Sequence, residues 1–128
     1  MKHELKTVRV YELAPETAGY RILIDRLWPR GLRKEALMPF FWAKELAPSN
    51  ELRKWFGHIP ERFPEFSERY RAELAENPRA EEIAETIRGL LAEQDVLLLY
   101  AAKNKEKNHA AVLKDWLLYD ALSPGRPL

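Results

Sequence analysis

The sequence contains no cysteine among its 128 residues. This absence excludes a disulfide scaffold, thiolate catalysis and thiolate zinc sites. Histidine is scarce too, and His3, His58 and His109 do not stand at metal-ligand spacing, so we expect no metal site. The P-loop, dinucleotide-binding, GxSxG and HExxH motifs are also missing, and we therefore expect no cofactor.

Long apolar runs are absent as well. No run is long enough to span a bilayer, and residues 1–4 lead into no apolar signal segment. We therefore expect a cytoplasmic protein with no membrane partner. Hydrophobic residues make up 46% of the chain and charged residues 32%, which fits one globular domain over residues 1–128 with a tail from about residue 123.

The net charge of +1 hides a segregation of charge along the chain. Residues 1–60 hold 11 Lys/Arg and 7 Asp/Glu, whereas residues 61–93 hold 5 and 9. The acidic segment coincides with regular helical patterning, so we interpret it as a solvated helix face. The basic excess lies in the irregular first part of the chain and leaves room for a local basic pocket.

Alternation and β-branched residues predict strands over residues 7–11 and 20–25. Residues 96–100 form a continuous apolar run, which is typical of a central strand that is buried on both faces. Residues 39–42 are expected to be extended or to form a short edge strand. A loop is predicted over residues 28–32, because Pro29 and Gly31 disfavour a helix there.

Helical patterns fill the rest of the chain. Residues 33–37 predict one helical turn, and a helix capped by Ser49 is predicted to end at Gly57. Further helices are predicted from Pro60, over a segment that includes Ile83–Leu91 after a chain break at Asn77-Pro78, and over residues 106–122. Strands that alternate with helices predict a single small α/β domain with a short, mainly parallel sheet sandwiched by helices.

Four motifs in the same order resemble the YeaO-like family, a family of unknown function: Arg26–Gly31, Lys44–Ser49, Leu52–His58 and Leu99–Lys103. The resemblance extends from about Val8 to Leu118 and implies a small α/β domain without an established reaction. In larger relatives the closing motif carries Cys-His-Arg, where this chain has Asn108-His109-Ala110. Chemistry that depends on that cysteine and arginine is therefore not implied here.

Charged residues follow two of the predicted strands. Asp25 ends the second strand and Arg26 and Arg30 follow it, whereas Lys103 and His109 follow the buried strand. Ligands of open α/β sheets bind beyond the carboxyl ends of the strands, and arginine suits bidentate contacts to phosphate. The pattern predicts an anion-binding cleft. An Asp25–Arg26 ion pair that pins the following loop is an equally good interpretation of the first group.

The residues divide into roles. Asp25 or His109 would act as acid or base, while Arg26, Arg30 and Lys103 would hold and neutralise the anion. Lys105 and Lys107 are expected to point into water.

Two further residues complete the predicted ligand-binding set. Trp28 would wall the cleft, although closing the core beneath its loop is a slightly better interpretation. His58 would cap the preceding helix or edge the cleft.

Two functions fit this pattern. The first is a cleft for a small anionic molecule, a phosphate compound or nucleotide, with transferase or hydrolase activity if the protein is an enzyme. The alternative is a non-enzymatic module that binds nucleic acid or protein. The single-cleft hypothesis requires Asp25 and His109 to meet across the strand ends, although they are 84 residues apart.

Overall fold

The apolar run Val96–Tyr100 forms β4, and all five of its residues are buried. In the computed structural model, which describes residues 3–121, β4 lies inside a four-stranded parallel sheet of order β1-β4-β2-β3. The other strands are β1 (Leu5–Arg9), β2 (Tyr20–Leu23) and β3 (Phe41–Trp42). The predictions of a mainly parallel α/β sheet and of its central strand are confirmed.

The side chains of β4 alternate between two cores, as the period of a strand requires. Val96, Leu98 and Tyr100 lie in the larger core, and Leu97 and Leu99 lie in the smaller one on the opposite face. The larger core is covered by four helices: α2 (Asn50–Phe56), α3 (Phe63–Ala75), α4 (Pro78–Leu91) and α5 (His109–Trp116). The smaller core is covered by the single-turn helix α1 (Lys34–Leu37) and the loops around it.

Asp95 ties the amino ends of β1 and β4 together. Its carboxylate accepts the backbone N–H of Glu4 at 2.8 Å and lies 3.2 Å from Nζ of Lys6. The Glu4 hydrogen bond, followed by Lys6, holds the pKa of Asp95 below its ordinary value.

The first strand is displaced from its predicted position. Residues 7–11 were expected to be extended, but β1 ends at Arg9 and Val10–Glu12 form a 3₁₀ turn. Val10 is buried in the smaller core and Tyr11 is 43% exposed. Burial of Val10 at the end of the strand outweighs the local β propensity of this segment. The second strand likewise ends at Leu23 rather than at Asp25.

The last helix begins three residues later than predicted. The side chain of Asn104 accepts the backbone N–H groups of Glu106 and Lys107, each at 2.9 Å, which holds this segment in a turn. The side chain of Asn108 then caps α5 by accepting the N–H of Ala111 at 2.8 Å.

Beyond α5 the chain continues as a π-helix over Leu117–Ala121. The predicted helix end at residue 122 and the tail lie outside the described residues. Within residues 3–121, no helix combines the length and the apolar character that crossing a membrane requires.

Candidate functional site

A cleft of about 660 Å³ lies at the carboxyl ends of β2 and β4. Asp25 and Arg26 reach it just after β2, and Ala101–Asn104 reach it just after β4. Parallel strands end at the same edge of a sheet, which brings these two distant segments together. All seven predicted site residues line this one cleft: Asp25, Arg26, Trp28, Arg30, His58, Lys103 and His109.

Asp25 and His109 meet at the bottom of the cleft. Nε2 of His109 lies 2.9 Å from Oδ1 of Asp25, and about 15% of each side chain is exposed. The two atoms lie within hydrogen-bonding distance, and the contact is an ion pair only when the imidazole is protonated. Both atoms are nevertheless buried without a well-aligned hydrogen bond to any residue within 3–121, because the ring N–H does not point along the line between them.

Two hydrogen bonds, one from a backbone N–H and one from an indole N–H, hold Asp25 in place. Oδ2 of its side chain accepts the N–H of Ala101 at 3.1 Å, immediately after β4. Its carbonyl oxygen accepts the indole N–H of Trp42 at 2.7 Å, from the end of β3. The carboxylate is therefore fixed relative to three neighbouring strands, and His109 packs against a rigid partner.

His109 is the first residue of α5, directly after the cap at Asn108. The Asn108 side chain is buried and also donates to the carbonyl of Asn104 at 2.7 Å. At the position where larger relatives are expected to carry cysteine, this chain thus has a helix cap. The cap determines where α5 begins and so places the imidazole over Asp25.

Arg26 uses part of its guanidinium within the protein. Nη2 lies 3.2 Å from the carbonyl oxygen of Pro48 and 3.4 Å from that of Ala47. These contacts join the loop after β2 to the segment that enters α2. The structure shows no Asp25–Arg26 ion pair, and Asp25 faces His109 instead.

Three other cations line the cleft without a carboxylate partner among residues 3–121: Arg30, Arg53 and Lys103. All three are exposed. Elsewhere in the described chain, cations that pair with carboxylates include Lys6, Arg9, Arg33, Arg69, Arg79 and Lys105. Other described cations without an ion pair, such as Lys54 and Lys107, lie outside the cleft lining. What distinguishes the cleft is that Arg30, Arg53 and Lys103 line one concave site.

The lysines after Lys103 point away from the cleft, but Lys105 is not simply solvated as expected. Nζ of Lys105 lies 2.7 Å from Oε1 of Glu12, across the end of β1. Lys107 is exposed. Both precede α5, so neither lies on the first turn of that helix.

Trp28 belongs to both the cleft and the smaller core. Its ring lies 5.5 Å from the rings of Phe40 and Trp42, and its N–H donates to the carbonyl of Leu32 at 2.6 Å. The indole thus closes the core beneath its loop while one side lines the cleft.

His58 projects from a turn with left-handed backbone. Gly57 ends α2 with a φ of 53°, as the sequence predicts, and His58 follows with a φ of 58°. This conformation is uncommon for a residue with a side chain. It leaves the imidazole exposed at the cleft edge, 6.0 Å from the ring of Phe56.

Tyr70 lies behind the catalytic candidates, with its ring 6.5 Å from that of His109. Its hydroxyl donates to the carbonyl of Leu46. Burial, followed by the negative charges of Glu73 and Asp25, raises the pKa of Tyr70 well above 10. Tyr70 is therefore a neutral hydrogen-bond donor in the floor of this region.

Sequence reasoning missed Tyr11, Arg53 and Asn104 as cleft residues. Arg53 stands within one of the family motifs, which was the available signal. Arg53 reaches the cleft because α2 packs against α3, and the spacing of residues in the sequence does not reveal that packing. Among residues 3–121 no group of three metal-ligating side chains occurs.

The fold and the site define a small α/β protein with a basic cleft at the carboxyl edge of its parallel sheet. The family model described as "Inactive DUF488-N3 subclade" matches residues 4–124. The uncharacterised protein YeaO of Escherichia coli (strain K12) is 47% identical over 109 residues, which cover 85% of this chain and 92% of that protein. The chain belongs to this YeaO-like family.

Mycobacterial relatives align with this chain over a similar length. Uncharacterised proteins of Mycobacterium tuberculosis (strain H37Rv) and Mycobacterium bovis are each 40% identical over 113 residues, which cover 88% of this chain and 92% of theirs. No solved structure matches the chain significantly.

Proposed function

We propose that this protein binds a small phosphate-bearing molecule in the strand-end cleft. The observation that carries the proposal is the set of three exposed cations, Arg30, Arg53 and Lys103, which line the cleft without carboxylate partners in the described chain. Within residues 3–121, Asp25 is the only acidic residue of the lining, and its carboxylate already faces His109. A bound anion would neutralise this excess of positive charge.

The shape of the site favours a small molecule over a nucleic acid. A volume of about 660 Å³ lies within the usual range of roughly 300–1,000 Å³ for small-molecule sites. Apolar walls from Phe56, Phe66 and Trp28 would cover the uncharged part of such a ligand. A nucleic-acid surface would extend its cations beyond a single concave site.

Binding without turnover is in line with the description of the family as an inactive subclade. A second candidate, hydrolysis or transfer of a phosphate or sugar group, is favoured by the contact between Asp25 and His109. The two candidates differ in whether a bound ligand is converted, which ³¹P NMR of the protein–ligand mixture detects.

Thermal-shift titration with inorganic phosphate, sugar phosphates and nucleoside monophosphates tests the proposal. A ligand that binds only the folded chain raises Tm as its concentration rises. Lys103→Met should reduce this shift, whereas Lys107→Met, which removes another exposed lysine outside the cleft lining, should not.

Absence of any phosphate-induced shift in the unmodified protein would overturn the proposal. Equal losses in the two lysine variants would also contradict it, because they would indicate a diffuse basic surface. Salt-sensitive binding of single-stranded DNA or RNA in place of small phosphates would establish the nucleic-acid alternative.

A further inference from the structure

The two ring nitrogens of His109 have different surroundings. Nε2 is buried and faces Oδ1 of Asp25 at 2.9 Å. Nδ1 is neither buried nor hydrogen-bonded to any residue within 3–121, and the residue lines the cleft. Nδ1 is therefore the ring nitrogen of His109 that remains available to a ligand.

Asp25 determines which nitrogen carries the proton. An ionised carboxylate only accepts hydrogen bonds, and its negative charge 2.9 Å from Nε2 favours a proton over a lone pair on that nitrogen. The proton of the neutral imidazole accordingly sits on Nε2. Nδ1 is left with a lone pair directed to the open side of the ring, where it accepts a hydrogen bond.

Several other acceptors of the cleft lining are already engaged. Oδ2 of Asp25 accepts the N–H of Ala101, and the side-chain oxygens of Asn104 and Asn108 accept backbone N–H groups. The carbonyl of Pro48 accepts Arg26. Nδ1 of His109 is thus a free acceptor among side chains that mostly donate.

The dianionic form of a phosphate monoester satisfies the cations but has no proton to donate to a lone pair on Nδ1. A hydroxyl group does, since its O–H can donate to that nitrogen. We propose that the ligand is a phosphorylated polyol or sugar whose hydroxyl donates to Nδ1 of His109. This inference rests on the phosphate-binding function proposed above. Asp25 would be a positioning residue that acts through His109.

Matched pairs of phosphate monoesters test the inference by calorimetric titration. Glycerol 3-phosphate is compared with n-propyl phosphate, and ribose 5-phosphate with cyclopentylmethyl phosphate, so that each pair differs in its hydroxyl and ring oxygens. We expect the hydroxylated member of at least one pair to bind about three- to tenfold more tightly, the effect of one hydrogen bond.

Two variants of His109 then test which ring nitrogen is responsible for the preference for the hydroxylated ligand. In His109→Asn the amide lies near the former position of Nδ1, and we expect part of the preference to remain. In His109→Gln the amide lies near the former position of Nε2, and we expect the preference to disappear while n-propyl phosphate still binds. Retained binding of n-propyl phosphate also shows that each variant is folded.

The possible failures are distinguishable. Equal binding within both pairs would overturn the hydroxyl inference and leave the phosphate site intact, whereas no binding of any phosphate would overturn the proposed function. Nitrogen-15 NMR of the imidazoles gives an independent readout. A proton on Nδ1 rather than Nε2 of His109 would contradict the role assigned to Asp25.

Discussion

The carboxylate of Glu73 on α3 receives two hydrogen bonds from Ser49, the residue that caps α2. The Ser49 N–H donates to Oε1 at 2.8 Å, and its hydroxyl donates to Oε2 at 2.6 Å. The same hydroxyl oxygen accepts the N–H of Leu52 at 3.1 Å. This arrangement fixes the start of α2, and with it the carbonyls that Arg26 contacts beside the cleft.

Replacing Glu73 by alanine should lower the free energy of unfolding by about 1.5–3 kcal/mol, the usual range for hydrogen bonds to a charged group. Glu68→Ala is the matched control, because Glu68 is an exposed residue of the same helix. Its effect should stay within about 0.5 kcal/mol. Urea denaturation of both variants measures the difference, and equal effects would show that the Ser49 contacts add nothing.

A second prediction concerns two glycines in different surroundings. Gly19 has a φ of 132°, and a Cβ there would lie 3.1 Å from the Leu97 side chain and 3.2 Å from the Asp95 carbonyl oxygen. Gly89 lies within α4 and has open space around its missing Cβ. Gly19→Ala should destabilise the fold by about 1–3 kcal/mol. Gly89→Ala should stabilise it by about 0.5–1 kcal/mol.

Thermal or chemical unfolding of these two variants shows whether each substitution raises or lowers the free energy of unfolding. Destabilisation by Gly89→Ala would contradict the open space seen around it. A neutral Gly19→Ala variant would show that the turn before β2 can relax.

A third prediction separates two arginines of the cleft. Arg26 contacts the carbonyls of Ala47 and Pro48, whereas the Arg30 side chain is exposed. Arg26→Ala should therefore cost about 1–2 kcal/mol of stability, and Arg30→Ala less than about 0.5 kcal/mol. Both should weaken phosphate binding in the thermal-shift titration. Full phosphate affinity in Arg30→Ala would remove that residue from the proposed site.

The raised pKa of Tyr70 predicts a loss of stability in alkali. The unfolded chain releases the tyrosine proton near pH 10, but the folded chain retains it to higher pH. The stabilisation from this proton is complete below pH 10 and declines as the pH rises above 10 toward the folded-state pKa.

Denaturation at a series of pH values from 8 upward tests this behaviour. Tyr70→Phe should be less stable than the unmodified chain below pH 10, because the carbonyl of Leu46 loses its donor. Its stability should then fall less steeply above pH 10. Tyr100, whose pKa is also raised by burial, remains in both proteins and contributes equally. If the free energies of unfolding of the two proteins fell in parallel above pH 10, the prediction would be contradicted.

Local sequence signals predicted much of the fold because strong local preferences and tertiary packing agree at those points. The apolar run of β4 and the cap at Ser49 are examples. Predictions failed where side-chain hydrogen bonds compete with periodicity. The helix pattern from residue 106 is overridden by the turn that Asn104 organises, and α5 begins only after Asn108.

The cleft was predictable from one topological rule, since residues that follow neighbouring parallel strands share an edge. That rule predicts from the sequence that Asp25 and His109 lie together, and in the structure their side chains are 2.9 Å apart. It could not find Arg53, whose position depends on how α2 packs, or the Lys105–Glu12 ion pair, which depends on the 3₁₀ turn after β1.

The strand order has a consequence for the emergence of the chain from the ribosome. β1 and β2 do not pair with each other; both pair with β4, which is separated from β1 by 91 positions in register. The first two strands therefore remain without their central partner until Tyr100 has been synthesised. During most of translation Leu5, Ile22 and Leu23 stay accessible to chaperones, and the sheet closes only late in synthesis.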